Sequence, residues 1–376
     1  HPWLGWSHSD EKRAQTYWSG GTSISFNVES DKSADSTLLA ASYTSLTSRW
    51  GNGIDQNLPV DASEYDSNKD MYSHLRNNGG GSLKAAIDIA GLFIDKGPVV
   101  QVKNGFGKTR VHKDSDPTVY YDGPLVIMVN DFSASASEIL AAALQDYGRA
   151  VIVGSKTTFG KGTVQNIFDM DKAAGATYKD VTPLGAIKVT TEKFYRINGG
   201  TTQLNGVTPD IILPNIYNNM EMGEKEEDFA LPFDEIDRAT YSVMSQNAMA
   251  YNSAKVKAEK RLAKNTHFNH VLDYAKWLEE NEDNTTSPLD YAGYTEKQKK
   301  YKAELDLFDL DNKEDQDSIF VGFLNQKPEW YASDTAKVQQ FEKWHKNLSK
   351  DAYLVETLNI IYDLGDDLAV AEPNDK

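Results

Sequence analysis

The feature that most constrains this chain is an apolar run, Leu125–Val129, that leads through the small residues Ser133–Ser137 into a helical pattern and then a second apolar run, Ala150–Val153. The first run reads as a buried strand. The helix follows from the spacing of Glu138, Ile139, Leu140, Ala142, Ala143 and Leu144, and Gly148 closes it. Strand, helix, strand in that order is the building unit of an α/β layer.

Other segments extend this block in both directions. Arg76–Gly81 is a tight loop, and Ser82 is placed to cap a helix with the apolar face Leu83, Ala86, Ile87, Ala90 and Phe93. Pro98–Val102, Thr163–Phe168 and Ile187–Ile197 read as strands, and the turn Asn198-Gly199-Gly200 suggests a hairpin. The α/β block ends near Pro214. Residues 1–74 are rich in Ser, Asp, Asn and Gly and follow neither a helical nor a strand period, so they carry no fold assignment. From about Phe233 the composition turns to Lys, Glu, Ala, Asn and Leu at helical spacing, and the final run Tyr353–Leu364 fits a surface helix of a separate domain.

Charge and composition exclude several functions. The 376 residues carry a net charge of −17, with no basic stripe interleaved with aromatics, which argues against a nucleic-acid partner. No apolar run approaches the roughly 18 residues that span a bilayer, so no membrane span is expected. With no cysteine there is no disulfide, thiolate metal site or Cys nucleophile. The sequence starts at His1 and shows no basic, then apolar, then small-residue leader, so any export signal is expected to have been removed or never included, and localisation has to come from elsewhere.

Three local features belong together chemically. A serine hydroxyl in the Ser133–Ser137 turn sits at a helix N-terminus, where free amides and the positive end of the helix favour an oxyanion. Taken alone, such a turn is more often only a cap. Lys161 stands between Gly160 and Gly162 at the entrance to an apolar strand. A lysine there that points into a cleft loses solvation, its pKa falls, and it can take a proton from a serine. A solvent-facing loop lysine is the plain alternative. Gln165, four positions on, is placed to hold the amine. Asn77-Asn78-Gly79-Gly80-Gly81 offers unencumbered backbone amides for a second oxyanion donor, or simply enters a helix. A phosphate loop fails on spacing, because five residues separate Gly154 from Gly160 and Gly162 stands where Ser or Thr would bind magnesium. No histidine falls between Pro124 and Asp169. His267 and His270 lack an accompanying carboxylate cluster, and the acidic run Asp309–Asp317 lacks a calcium loop's glycine and terminal glutamate.

The ordered motifs Leu75–Gly81, Phe132–Ile139, Gln145–Ala150, Thr158–Gln165 and Gly206–Ile211 together resemble the tail-specific, or carboxy-terminal processing, proteases. Ala230–Asp234 and Tyr353–Thr357 resemble the C-terminal domain of their periplasmic bacterial branch. The resemblance implies a crotonase-like α/β protease core followed by a mostly helical C-terminal domain. It also implies a Ser-Lys dyad that needs neither cofactor nor metal. By motif, Ser135 is the nucleophile, Lys161 the base, Gln165 the residue that orients it, and Asp146 a supporting aspartate. Ala136 with Gly80 or Gly81 supplies the oxyanion amides, and Ser133 and Ser137 are then structural.

The implied substrates are proteins or peptides with apolar, free-carboxylate C-terminal tails, with an adaptor lipoprotein as an allowed partner and a periplasmic location. The expected division is 1–74 unassigned, 75–216 the protease core and 217–376 the helical domain. Three departures stand out. The loop Gly154–Gly160 is one residue longer than the family pattern, and His74 replaces an aspartate after a poorly apolar strand. No peptide-binding PDZ module is recognisable upstream. A peptide-binding scaffold and a crotonase-type acyl-CoA enzyme are the competing readings.

Overall fold

The structure is a computed structural model that describes residues 71–175, 183–244, 248–282, 284–308 and 335–371. The unassigned stretch before residue 71 and the acidic run Asp309–Asp317 lie outside the described residues.

The first sheet is parallel throughout. Its strands are β1 (Met71–His74), β4 (Leu125–Val129), β5 (Val151–Gly154) and β8 (Ile211–Ile212), adjacent in that order. The helices between them are α1 (Leu83–Ala90) and α2 (Ala136–Asp146). The second sheet has the order β3-β2-β7-β6 and is antiparallel. It is built from β2 (Gly97–Asn104), β3 (Thr109–Asp114), β6 (Thr163–Asp169) and β7 (Ala186–Tyr195), and the short α3 (Met170–Ala174) follows β6.

The strand, helix, strand reading of 125–154 is what folds. β4 is buried at all five positions, and its residues alternate between two cores. Leu125, Ile127 and Val129 join one core with α1 and α2, through Ala86, Ala90, Ile139 and Leu140. Val126 and Met128 face the other way, with Val151, Val153, Ile211 and Leu213. A parallel sheet that is apolar on both faces needs a cover on each.

The second cover comes from the C-terminal helices. Beyond the core lie α4 (Ala248–Leu262), α5 (Thr266–Asn281), α6 (Tyr291–Leu305), α7 (Thr335–Ser349) and α8 (Ala352–Ala371). Ala254 and Ala258 of α4, with Leu354, Leu358, Ile360, Ile361 and Leu364 of α8, complete the core under Val126 and Met128. The final run is therefore an interior helix, not the surface helix expected from its sequence. Full burial of one Leu or Ile contributes about 1.5–3 kcal/mol, so five on α8 contribute on the order of a whole domain's net stability. Arg261 of α4 spans to Glu356 (2.9 Å) and Asp363 (2.6 Å) of α8, locking the two helices in register.

Three further differences from the sequence reading have physical causes. Met71–His74 pairs with β4 as a parallel strand despite its weakly apolar sequence. The turn at Asn198–Gly200 forms through the Arg196 amide on the Gly200 carbonyl (2.7 Å), but β7 pairs with β2 and β6, not with a strand after that turn. The polar stretch after β2 contains β3, mostly exposed and held by pairing with β2 instead of by an apolar pattern.

Candidate active site

The site forms where the C-terminal ends of β1, β4 and β5 meet the N-terminus of α2. Ser135 is the residue at the turn into α2, and its backbone is held at φ 57°, ψ −115°. A non-glycine residue at such a positive φ costs about 1–3 kcal/mol and persists only where the surroundings impose it. The surroundings here do so on both flanks. The Ala134 amide donates to the Asn78 carbonyl (3.0 Å), and the Phe159 amide donates to the Ser133 carbonyl (3.0 Å). The Ser133 hydroxyl, fully buried, donates to the Leu75 carbonyl (2.7 Å) and accepts from the Asn130 amide (2.9 Å). Ser137 is buried within α2. Of the three serines, Ser135 alone has this strained backbone.

The glycine loop packs directly on this turn. Asn77, at φ 60°, exchanges a reciprocal pair of hydrogen bonds with the Asn130 side chain, both 2.8 Å. Gly80 is at φ 90°, and a methyl group there would stand 2.5 Å from the Ala134 carbonyl oxygen and 2.7 Å from the Ala136 amide nitrogen. Only glycine lets the loop approach so closely. The Gly80 amide itself donates to Asn78 Oδ1 (3.0 Å), so it is already engaged. Among the described residues no hydrogen bond engages the amides of Gly81 and of Ala136, the first residue of α2.

Lys161 arrives from the other side. Its Nζ donates to Gln165 Oε1 at 3.1 Å, and Gln165 Nε2 reaches Thr190 Oγ1 at 3.5 Å. Thr202 Oγ1 donates to the Lys161 carbonyl (2.9 Å). Lys161 is half-buried, and no hydrogen bond joins its Nζ to Ser135 Oγ. The longer loop before it closes on itself, with Ser155 Oγ donating to the Thr157 carbonyl at 3.0 Å.

One residue that the sequence reading treated as ordinary helix ties the two sides together. Glu138 is fully buried, and its carboxylate accepts four hydrogen bonds. The Ser135 amide (2.7 Å) and the Lys161 amide (3.0 Å) share Oε2. The Thr158 hydroxyl (2.6 Å) and the Gly160 amide (2.8 Å) share Oε1. Burial pushes the Glu138 carboxyl up to about 7, against the downward pull of those four donors. The signal that could have found it is its place three residues after Ser135, the spacing of a capping box. What sequence could not show is that its other oxygen turns away to a loop some twenty residues on.

Asp146 is not brought to the dyad. It lies at the last residue of α2, about 16 Å along the helix axis from Ser135 at 1.5 Å per residue. There it pairs with Arg196 Nη2 (2.6 Å) and accepts from Asn198 Nδ2 (2.9 Å), fixing the turn after β7. His267 packs its ring against Phe268 and Tyr353.

Residues 74–213 match the model of peptidase family S41, and residues 217–366 match the C-terminal domain of tail specific protease (DUF3340). Residues 74–213 are thus similar to peptidase family S41. The S41 match begins and ends on the parallel sheet, with His74 closing β1 and Leu213 just past β8. The chain is 44% identical over 226 residues to a tail-specific protease of Haemophilus influenzae, covering 58% of this chain and 31% of that one. It is 40% identical over 140 residues to a carboxyl-terminal-processing protease of a Picosynechococcus species, covering 37% of this chain and 31% of that one. A solved photosystem II D1 C-terminal processing protease is similar at 25% identity and a TM-score of 0.39, covering 51% of this chain and 48% of that one. The chain thus spans about a third of the length of the curated relatives it matches.

Proposed function

We propose that this chain cleaves proteins near their C-termini as a serine endopeptidase, with Ser135 as nucleophile and Lys161 as general base. The observation that carries the reading is the shared Glu138 oxygen, which holds the Ser135 and Lys161 backbones side by side next to two open amides. In this scheme neutral Lys161 Nζ takes the proton of Ser135 Oγ as the oxygen attacks the scissile carbonyl carbon. The negative charge that develops on the carbonyl oxygen is met by the amides of Ala136 and Gly81, at the positive end of α2. The Lys161 ammonium then gives its proton to the departing amine, and water repeats the sequence on the acyl-enzyme. Gln165 holds the amine until a substrate is present, and a rotation of the lysine side chain carries it from Gln165 to Ser135. Asp146 acts through structure, by fixing Arg196.

The substrates in this reading are proteins with apolar, free-carboxylate tails, met in the periplasm and delivered in some cases by an adaptor lipoprotein. The support for this finer part is the likeness to bacterial tail-specific proteases. Among the described residues no helix is long and apolar enough to cross a membrane. The test is incubation of the chain with one model protein carrying either an apolar or a charged C-terminal tail, read by intact mass. Selective loss of the apolar-tailed protein is the expected result. Binding of that tail without cleavage supports the scaffold reading, which the engagement of Lys161 Nζ by Gln165 instead of Ser135 favours.

The glycine loop gives a sharper expectation. Gly80→Ala is expected to lower kcat on the order of 10²-fold with KM little changed, because its methyl group would push the loop off the Ala136 amide. Gly79→Ala is the control, since a methyl group there meets nothing within 4 Å. Equal kcat for the two variants would remove the loop from the oxyanion site.

A further inference from the structure

We infer that the C-terminal helical region supplies a positioning residue to the catalytic centre: Asp351, at the start of α8, anchors the glycine loop through Arg76. This rests on the protease reading of the site for its catalytic consequence. The connection is short. Arg76 immediately precedes Asn77, the first residue of the loop whose Gly80 lies against the Ala136 amide. Its guanidinium makes a forked pair with the Asp351 carboxylate, Nη1 to Oδ1 at 3.3 Å and Nη2 to Oδ2. Arg76 Nε donates to His74 Nε2 (2.8 Å), and the guanidinium lies over the Tyr353 ring, 5.3 Å from its centre.

Asp351 is in turn fixed by α8. Its Oδ1 accepts the amides of Tyr353 (3.0 Å) and Leu354 (3.1 Å), and the Tyr353 hydroxyl donates to the Pro214 carbonyl (2.8 Å). Both members of the pair are largely buried, with side chains 15% and 19% exposed. A forked Arg–carboxylate pair fixes direction as well as distance, which a single surface contact does not. Asn130 and Ala134 hold the middle of the loop to the core. Arg76 holds its entry to a helix some 275 residues later in the chain. The oxyanion amides are thereby referenced to the helical region as well as to the sheet.

Burial pushes His74 down to about 3, with the neighbouring Arg76 charge adding to that, so His74 is a neutral acceptor. Burial pushes Asp351 up, but the Arg76 charge and hydrogen bonds outweigh it and hold the carboxyl below its usual range. The Asp351 carboxylate is thereby favoured in its charged form opposite the Arg76 guanidinium.

The test uses the whole chain and two readouts. Asp351→Asn, Asp351→Glu and the paired apolar replacement Arg76→Met with Asp351→Leu are compared with the unmodified chain. The apolar pair is included because removing one charge strands the other in the interior, whereas replacing both is often tolerated. The first readout is hydrogen exchange of the segment 75–82 relative to β4 and β5. The second is kcat and KM on an apolar-tailed peptide. The expected result is faster exchange confined to 75–82 in Asp351→Asn and in the apolar pair, with kcat lower on the order of 10²-fold, KM little changed, and partial recovery of both in Asp351→Glu. Unchanged exchange in 75–82 in the folded apolar pair would overturn the anchor, as would faster exchange with kcat unaltered. If the unmodified chain cleaves no tailed protein, it is the protease reading that fails, and the exchange measurement by itself still decides whether Asp351 holds the loop.

Discussion

Lys161→Ala is expected to abolish cleavage, lowering kcat by roughly 10⁴-fold while the chain stays folded. Ser135→Ala should do the same, and the double variant should be little worse than either, because the two act as one unit. The reason lies in what else each residue does. Lys161 is held through its backbone, by Glu138 on the amide and Thr202 on the carbonyl, so truncating its side chain leaves the loop in place. Its Nζ bonds the exposed Gln165 side chain, so little folding energy is lost with it. Steady-state rates on a tailed peptide, with circular dichroism as the folding control, decide the matter. Near-normal turnover in Lys161→Ala would mean that another group is the base.

Glu138→Gln is expected to be nearly as damaging to catalysis and more damaging to the fold. The carboxylate satisfies four donors, and an amide in its place has one acceptor oxygen and two N–H groups facing donors. Two of those donors are left stranded, at about 1–3 kcal/mol each. A loss of stability of a few kcal/mol in urea unfolding and a fall in kcat of at least 10²-fold are the expected readings. The pH dependence of stability has a definite sign. The Glu138 carboxyl goes from an ordinary 4.5 in the unfolded chain to about 7 in the folded one. The folded state therefore keeps a proton that the unfolded state has released. This group's contribution to stability is full below about 4.5, declines as pH rises through the window to about 7, and is flat above it. Activity runs the opposite way, since only the ionised carboxylate accepts from all four donors. The acid limb of kcat should therefore reflect Glu138. Wild-type stability and rate in Glu138→Gln would contradict this account.

The centre of the fold was legible because its signals are local. A five-residue apolar run, a turn of small residues and a helix spaced for one buried face are enough to place β4, α2 and β5. Ser135, Lys161, Gln165 and the glycine loop were legible for the same reason, each being marked by neighbours within a few positions. Choosing Ser135 over Ser133 and Ser137 needed more than spacing. The structure supplies a physical distinction in its positive φ and in the buried hydroxyl of Ser133.

What stayed hidden depends on long-range partners. Glu138 reads as an ordinary helix residue until its oxygens are seen facing Ser135, Lys161, Thr158 and Gly160. Asp146 reads by resemblance as a supporting aspartate, and its sequence neighbours do not reveal that Arg196 holds it at the far end of α2. The burial of α8 has the same origin: its polar residues resemble those of a surface helix, and its interior place follows from Val126 and Met128 needing a cover on the sheet's second face. That demand was already written in β4, whose run shows no polar alternation.

The central claim is that Ser135 is a nucleophile made reactive by neutral Lys161. The most direct measurement is labelling of the chain with a serine-reactive fluorophosphonate across a range of pH, read by intact mass and mapped by peptide sequencing. The account predicts a single adduct on Ser135 that forms faster as pH rises and is lost in both Ser135→Ala and Lys161→Ala. An adduct on another residue, or undiminished labelling of Ser135 in Lys161→Ala, would contradict it.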